Sequence, residues 1–291
     1  MKEIAIIGST ASGKTALSLE IANKTNSIIL SLDSLCVYKE IEIASAKPTL
    51  EERGNIVHFG IDEVYPNEEF DVIKFIELYK KAKDYAIKND KNLIIVGGTG
   101  FYLKALIDGL SLGIENKTKL DISPFEAYDL LYEIDKEYMQ KIEKNDRYRI
   151  EKAYSLYKQT GLSPSLYFEK NPKIALAKDL KIFEILWEKD ELKKRIALRT
   201  NQMIKSGLID EVIYLEKTYT RKPNCMSSIG IIETLEYLDG KLSKKELEEK
   251  ISLNTSKLAK RQNTFNKGQF LNKTSNIIEN LNSDIIKYFS L

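Results

Sequence analysis

Residues 8 to 15 read GSTASGKT, in which Gly8, Gly13, Lys14 and Thr15 satisfy the spacing G-x-x-x-x-G-K-[ST] in full. The spacing has a chemical purpose. Glycines let backbone N–H groups converge on phosphate oxygens, a following helix adds the dipole of its N-terminus, Lys14 neutralises charge, and the Thr15 hydroxyl can ligate magnesium. Asp33 closes a later apolar run, SIILSLDS. In a parallel sheet the carboxyl ends of neighbouring strands open on one crevice, so this carboxylate is expected to point at whatever the cradle holds. An aspartate before serine is also an ordinary helix cap or turn residue. Thr99, in LIIVGGTG, stands at the mouth of a third apolar run and either hydrogen-bonds into the same crevice or serves the turn. That run ends in Gly97, Gly98 and Thr99, where a phosphate-loop hydrolase commonly carries a magnesium-binding aspartate. The missing acid sets aside a switch GTPase or a mechanical ATPase. A transferase remains, in which a bound phosphate ester gives up a group or departs as diphosphate.

The elements that must position these residues are legible around them. EIAIIG before the cradle reads as a strand and ALSLEIANK after it as a helix. SIILS, IIV at 94 to 96 and DLKIFEILW at 179 to 187 are further strands, and FIELYKKAKDYAIKND is a helix before the third. Buried apolar strands alternating with helices predict an α/β fold, a P-loop-type parallel sheet flanked by helices. The helix-rich, charged stretch between GIENKTK and KNPK predicts an inserted helical subdomain at 113–172, with 1–112 and 173–291 forming the core and C-terminal helices. LKKRIALRTNQMIKSGLIDEVIYL has helical spacing interrupted at Ser206-Gly207, and Ser243 with Glu246 is a capping-box start for a last helix running toward Arg261.

Composition narrows the class. A chain of 291 residues with 43% apolar and 30% charged residues can bury a substantial core, and its apolar runs are too short to span a bilayer. No signal-peptide block follows Met1, so the expected compartment is the cytoplasm. Cys36 and Cys225 lie far apart with no C-x-x-C spacing, which argues against a disulfide framework or a thiolate zinc site. The one histidine, His58, excludes a multi-histidine metal site and is expected to be structural in its apolar setting VHFGI. A net charge of +2 identifies no nucleic-acid binder, but Ser252 to Lys273 carries Lys257, Lys260, Arg261, Lys267 and Lys273 with no acid. EKDELKKR at 188 to 195 alternates in sign like a solvated helix face.

Together GSTASGKT, DSLCVYKEIEIASAKPT, VGGTGFYLKALIDGL, NDRYRIEKAYSLYKQTG, MIKSGLIDEVIYL and LAKRQNTF resemble the tRNA dimethylallyltransferase family along nearly the whole chain. The resemblance implies a P-loop core with a helical insertion, and transfer of a dimethylallyl group from dimethylallyl diphosphate to N6 of the adenosine 3′-adjacent to the anticodon. It further implies that Gly8, Ser9, Thr10, Ala11, Ser12, Gly13, Lys14 and Thr15 hold the diphosphate, with Mg2+ on Thr15. Asp33 matches the family's base, and Thr99 its partner in catalysis. Asp33, Ser34, Leu35, Cys36 and Thr99 would line the adenosine pocket. Tyr148, Arg149 and Lys152 in the insertion, and Lys260, Arg261 and Gln262 near the C-terminus, would contact the anticodon stem-loop of tRNA. The protein is expected to act as a monomer with no membrane partner. The sequence departs from the family pattern at Ser9, Cys36 and Phe265, and at Ile231 and Ile232, where the family commonly has an aromatic and a basic residue. Two other readings fit parts of the chain: a P-loop kinase of a nucleoside or small metabolite with Arg147 and Arg149 as a lid, and a non-catalytic RNA-binding module.

Overall fold

The computed structural model describes residues 1–111 and 120–290. They form two compact units, 1–104 with 179–291, and 105–178. The larger holds one six-stranded sheet, all parallel, of β1 (Glu3–Gly8), β2 (Ser27–Ser31), β3 (His58–Phe59), β4 (Asn92–Gly97), β5 (Lys181–Ile185) and β6 (Lys273–Asn276), in the order β3-β2-β4-β1-β5-β6. The fold is the expected P-loop-type parallel sheet flanked by helices. β1 lies between β4 and β5, with Ile6 beside Val96 on one side and Phe183 on the other. Strands this deep are buried on both faces, which explains their continuous apolar runs.

Helices α1 (Lys14–Lys24), α2 (Leu50–Arg53), α3 (Val72–Lys88) and α4 (Gly100–Asp108) follow the first strands. On one face of the sheet Leu17 and Ile21 of α1 pack with Ile4, Ile6, Ile29, Ile94 and Phe183. On α3 and α4, Phe75 and Tyr102 stack with ring centroids 4.7 Å apart, and both are buried.

The smaller unit contains α5 (Pro124–Ile134), α6 (Lys136–Met139), α7 (Arg147–Thr160) and α8 (Pro164–Lys170). Ala127, Leu131, Met139, Ile150 and Tyr154 form its own core. Its bounds differ from the expected 113–172. The last turn of α4 joins it because Leu106 O accepts both Leu176 N–H (2.9 Å) and Ala177 N–H (3.0 Å), while Gly109 packs on the Ile174 backbone. The expected boundary segment GIENKTK lies outside the described residues.

The chain returns through β5 to α9 (Lys189–Lys205), α10 (Leu208–Tyr219), α11 (Ile231–Leu238), α12 (Lys244–Gln269) and α13 (Ile278–Ser290). The expected break at Ser206-Gly207 separates α9 from α10, and Ser243 with Glu246 closes the expected capping box on α12. A second cluster joins these helices to the segment after β2: Val37 and Ile41 pack with Ile204, Leu208, Val212 and Ile251. No helix of the described residues is long and apolar enough to cross a membrane.

Candidate active site

The phosphate loop, residues 8–15, leaves the carboxyl end of β1 and runs straight into α1. Gly13 caps that helix at φ +91°, a conformation that costs glycine nothing, and no side chain caps it. The first N–H groups of α1 have no intrahelical acceptor and are therefore available to an anion. Ala11 also sits in the left-handed region, at φ +61°. Its carbonyl accepts Arg195 Nε–H at 2.8 Å, and the Ser12 carbonyl accepts Trp187 Nε1–H at 2.9 Å. The Arg195 guanidinium lies 4.4 Å from the Trp187 ring centroid, so the two donors brace each other. Lys14 Nζ donates to Ser9 O at 2.6 Å, and burial pushes its ammonium down to about 8 against the opposing pull of Asp33.

Asp33 follows β2 on the same side of the sheet. Its Oδ1 accepts the N–H of Leu35 (2.8 Å) and more weakly that of Cys36 (3.4 Å), so the aspartate makes the turn its sequence also allowed. Thr99 Oγ1 accepts the Ser34 N–H at 3.3 Å, leaving its own proton free to donate. Arg199, one helical turn beyond Arg195 on α9, donates to Thr10 Oγ1 at 3.4 Å; burial lowers its pKa and Asp33 favours its charge.

Three cavities adjoin at these residues. An outer one of about 530 Å³ is lined by the loop from Ala11 to Thr15 and by Arg195 and Arg199. A middle one of about 110 Å³ holds Lys14, Thr15, Asp33, Cys36 and Arg199 together. An inner one of about 430 Å³ is lined by Asp33, Ser34, Leu35, Thr99, Arg199 and Met203. Arg199 walls all three, Lys14 and Thr15 the outer two, and Asp33, Gly98 and Gln262 the inner two. An anion on the loop and a polar acceptor entering from the inner cavity would thus meet at a carboxylate.

A model of the IPP transferase family matches residues 36–269, well over half of the chain. The chain belongs to the IPP transferase family. It is 85% identical to the tRNA dimethylallyltransferase of Aliarcobacter butzleri over the whole of both chains, and 48% identical to that of Campylobacter concisus over 99% of this chain and 98% of the relative. Among solved structures, a full-length tRNA isopentenylpyrophosphate transferase from Bacillus halodurans matches with a TM-score of 0.75 and 29% identity, over 99% of this chain and 95% of that one. A eukaryotic dimethylallyltransferase captured acting on tRNA matches with a TM-score of 0.81 and 27% identity, over 91% of this chain and 70% of its own. These likenesses leave the kinase and RNA-binding-module readings without support.

Within this IPP transferase, the residues expected from sequence fall into groups. Gly8 to Thr15, Asp33 and Cys36 border the outer and middle cavities or the loop itself, and Ser34, Leu35 and Thr99 border the inner one. Tyr148, Arg149 and Lys152 lie in the smaller unit on the first turns of α7. There Tyr148 is 69% exposed, Lys152 Nζ lies 5.6 Å from its ring centroid, and Arg149 pairs with Asp146 at 3.1 Å. Lys260 and Arg261 are exposed on α12, but Gln262 is set apart from them: its side chain turns to the phosphate loop. Lys273, counted with the basic tail, is withdrawn from solvent and bonds Asn266 O (3.1 Å) and Phe270 O (2.9 Å) at the end of α12. Ile231 fills the helical core and Ile232 stays exposed.

Sequence reasoning missed Arg195, Arg199 and Trp187. EKDELKKR behaves as a solvated face at Asp190, Lys193 and Lys194, which pair with their own neighbours, but Arg195 does not. Arg195 and Arg199 stand four apart on one helix beside apolar Leu192 and Ile196, a spacing that marks two cations on a face adjoining the buried side. His58 bonds Ile56 O at 2.8 Å through Nδ1, as a structural histidine would, and also edges the middle cavity.

Proposed function

We infer that this protein transfers a dimethylallyl group from dimethylallyl diphosphate to N6 of the adenosine 3′-adjacent to the anticodon of tRNAs, releasing diphosphate. One observation supports it above the others: a cavity of about 110 Å³ is bordered at once by Lys14, Thr15 and Asp33. In this reading the diphosphate rests on the loop amides, Lys14 and Arg199, and the adenine enters through the inner cavity beside Ser34 and Thr99. The bond between N6 and the allylic C1 forms as the C1–O bond breaks, and the bonding electron pair leaves with the diphosphate. An exocyclic adenine amine is a weak nucleophile because its lone pair is delocalised into the ring, so loss of its proton to the Asp33 carboxylate lowers the barrier. Charge builds on the leaving oxygen, where Lys14, Arg199 and the loop N–H groups stabilise the transition state more than the bound donor. Thr99 is placed to orient the base through its free hydroxyl proton.

The donor set also fits Mg2+. Among the described residues no cluster of three or more His, Cys, Asp or Glu could hold a metal by itself. Thr15, in the first turn of α1 and bordering both phosphate-side cavities, would supply one hydroxyl oxygen. Mg2+ favours such sites, keeping water and substrate phosphate oxygens as its other ligands. When bound it would neutralise diphosphate charge.

The adenosine must leave its stack, which costs roughly a few kcal/mol that wider tRNA contacts offset. Tyr148 and Arg149 are suited to stacking on loop bases, and Lys260 and Arg261 to phosphates. The reading places the protein in the cytoplasm as a monomer; both cysteines are free and buried. The test is mass spectrometry of nucleosides from unmodified tRNA incubated with the protein and dimethylallyl diphosphate, with ATP and nucleosides in parallel. N6-dimethylallyladenosine at the position 3′ of the anticodon is the expected product. Phosphorylated nucleoside with unmodified tRNA would overturn the reading.

A further inference from the structure

Gln262 uses both ends of its amide. Oε1 accepts the Thr10 N–H at 2.8 Å, and Nε2 donates to Gly98 O at 3.1 Å. Thr10 belongs to the phosphate loop, and Gly98 is the residue before Thr99. The fit is close, since a Cβ on Gly98 would run into Nε2. The side chain also borders both the middle and the inner cavity, at the boundary between the phosphate side and the acceptor side. Its helix is firmly seated there, because Ala259, one turn earlier, is buried against Leu192 and Ile196 with Ala11 and Trp187 at the margin.

We propose that Gln262 is a positioning residue for the transfer, tying the phosphate loop to the Gly98-Thr99 turn so that donor and acceptor are held at a fixed separation. This rests on the dimethylallyl-transfer reading above. A primary amide suits the task because it presents an acceptor to an N–H and a donor to a C=O in one plane. The two protein bonds fix the plane of the amide, and each end keeps one further donor or acceptor site, so a contact with tRNA, as its neighbours Lys260 and Arg261 suggest, is compatible with the tie. Bimolecular transfer is sensitive to small misplacements of the reacting groups, so a loose tie lowers the rate even with both substrates bound.

Gln262→Glu gives a test that a merely structural role would not pass. Ionised, the glutamate still accepts from Thr10 but cannot donate to Gly98 O, and protonated it can do both. Lys14, Asp33, Cys36, His58 and Arg199 border the same cavity. They are present in wild type and variant alike, so the measured quantity is the ratio of variant to wild-type kcat/KM for dimethylallyl diphosphate at saturating tRNA, from pH 5.5 to 8.5. Gln262→Ala is expected to lower kcat/KM by about 10-fold or more at every pH. The Gln262→Glu ratio is expected to match that loss at pH 8.5 and to climb toward one as the pH falls. A ratio that stays flat, or a defect confined to the KM for tRNA, overturns the proposal while leaving the function intact. A wild type that transfers nothing overturns the function and the proposal with it. The rise of the Gln262→Glu ratio with falling pH compares that variant with wild type alone and so stands whether or not Gln262→Ala folds.

Discussion

Asp33 divides its work between two oxygens. Oδ1 holds the turn after β2 through the Leu35 and Cys36 N–H groups, while among the described residues no protein donor reaches Oδ2. Both sequence readings of this residue, turn former and base, are thus compatible in one side chain. An asparagine in its place would keep the acceptor oxygen and lose the base. Asp33→Asn is therefore expected to melt within a few degrees of wild type yet transfer about 100-fold more slowly or worse, in line with the usual worth of general-base work. Asp33→Ala removes the turn acceptor too, and should cost a further ~1 kcal/mol of stability. Thermal melts with single-turnover transfer check both, and an asparagine variant turning over like wild type would take the base role away from Asp33.

At the scale of elements, the loop after β1 is held by side chains that come after β5. A non-glycine residue at φ +61° is disfavoured by about 1 kcal/mol, and the loop keeps Ala11 there because Arg195 and Trp187 take the Ala11 and Ser12 carbonyls from outside. The Ser12 N–H turns back to Ser9 O (3.3 Å) and the Thr10 N–H to Gln262, so an anion is left the N–H groups at the start of α1. Arg195→Ala is expected to raise the KM for dimethylallyl diphosphate about 10-fold, from the loss of one half-buried charge-assisted bond, with the KM for tRNA within about twofold. Trp187→Phe keeps an aromatic ring under Arg195 and loses only the Ser12 bond, so its effect should be a few-fold. Steady-state kinetics with each substrate varied in turn distinguish this from a general defect, and an unchanged donor KM in Arg195→Ala would refute it. The same contacts explain what the sequence disclosed and what it hid. The loop motif, Asp33 after its strand, and strands β1, β2, β4 and β5 are local patterns: buried parallel strands must be apolar throughout, and a phosphate cradle needs its glycines close together. The edge strands β3 and β6 gave no such signal, having two residues in one and the polar KTSN in the other. Arg195 reaches Ala11 across 184 residues and Gln262 reaches Thr10 across 252, and no periodicity in the sequence records pairings of that range.

Over the whole molecule, a net charge of +2 conceals an uneven distribution whose clearest case is α12. At 26 residues it is ~39 Å long. Leu247, Ile251, Ala259 and Asn266 are buried along one side, while Lys257, Lys260, Arg261 and Lys267 are exposed on the other, at helical spacings that group them into one stripe. Lys273 is spent on the end of the helix, so the stripe has four cations where the sequence suggested five. None of the four has an ion-pair partner among the described residues, in contrast to Arg149 in the smaller unit, which Asp146 already offsets. Cations without a protein counter-charge are those that release counterions most fully when they meet phosphate. Each contributes a slope of roughly 0.7 to 0.9 in log K against log salt. Replacing Lys260 and Arg261 together by Ala is therefore expected to weaken tRNA binding at low salt and to flatten the salt dependence by about 1.5. The KM for dimethylallyl diphosphate should not change with it, because neither side chain borders the phosphate-side cavities. Equilibrium binding of unmodified tRNA between about 50 and 300 mM salt measures the slope directly, and a double variant with the wild-type slope would mean that this stripe faces only water.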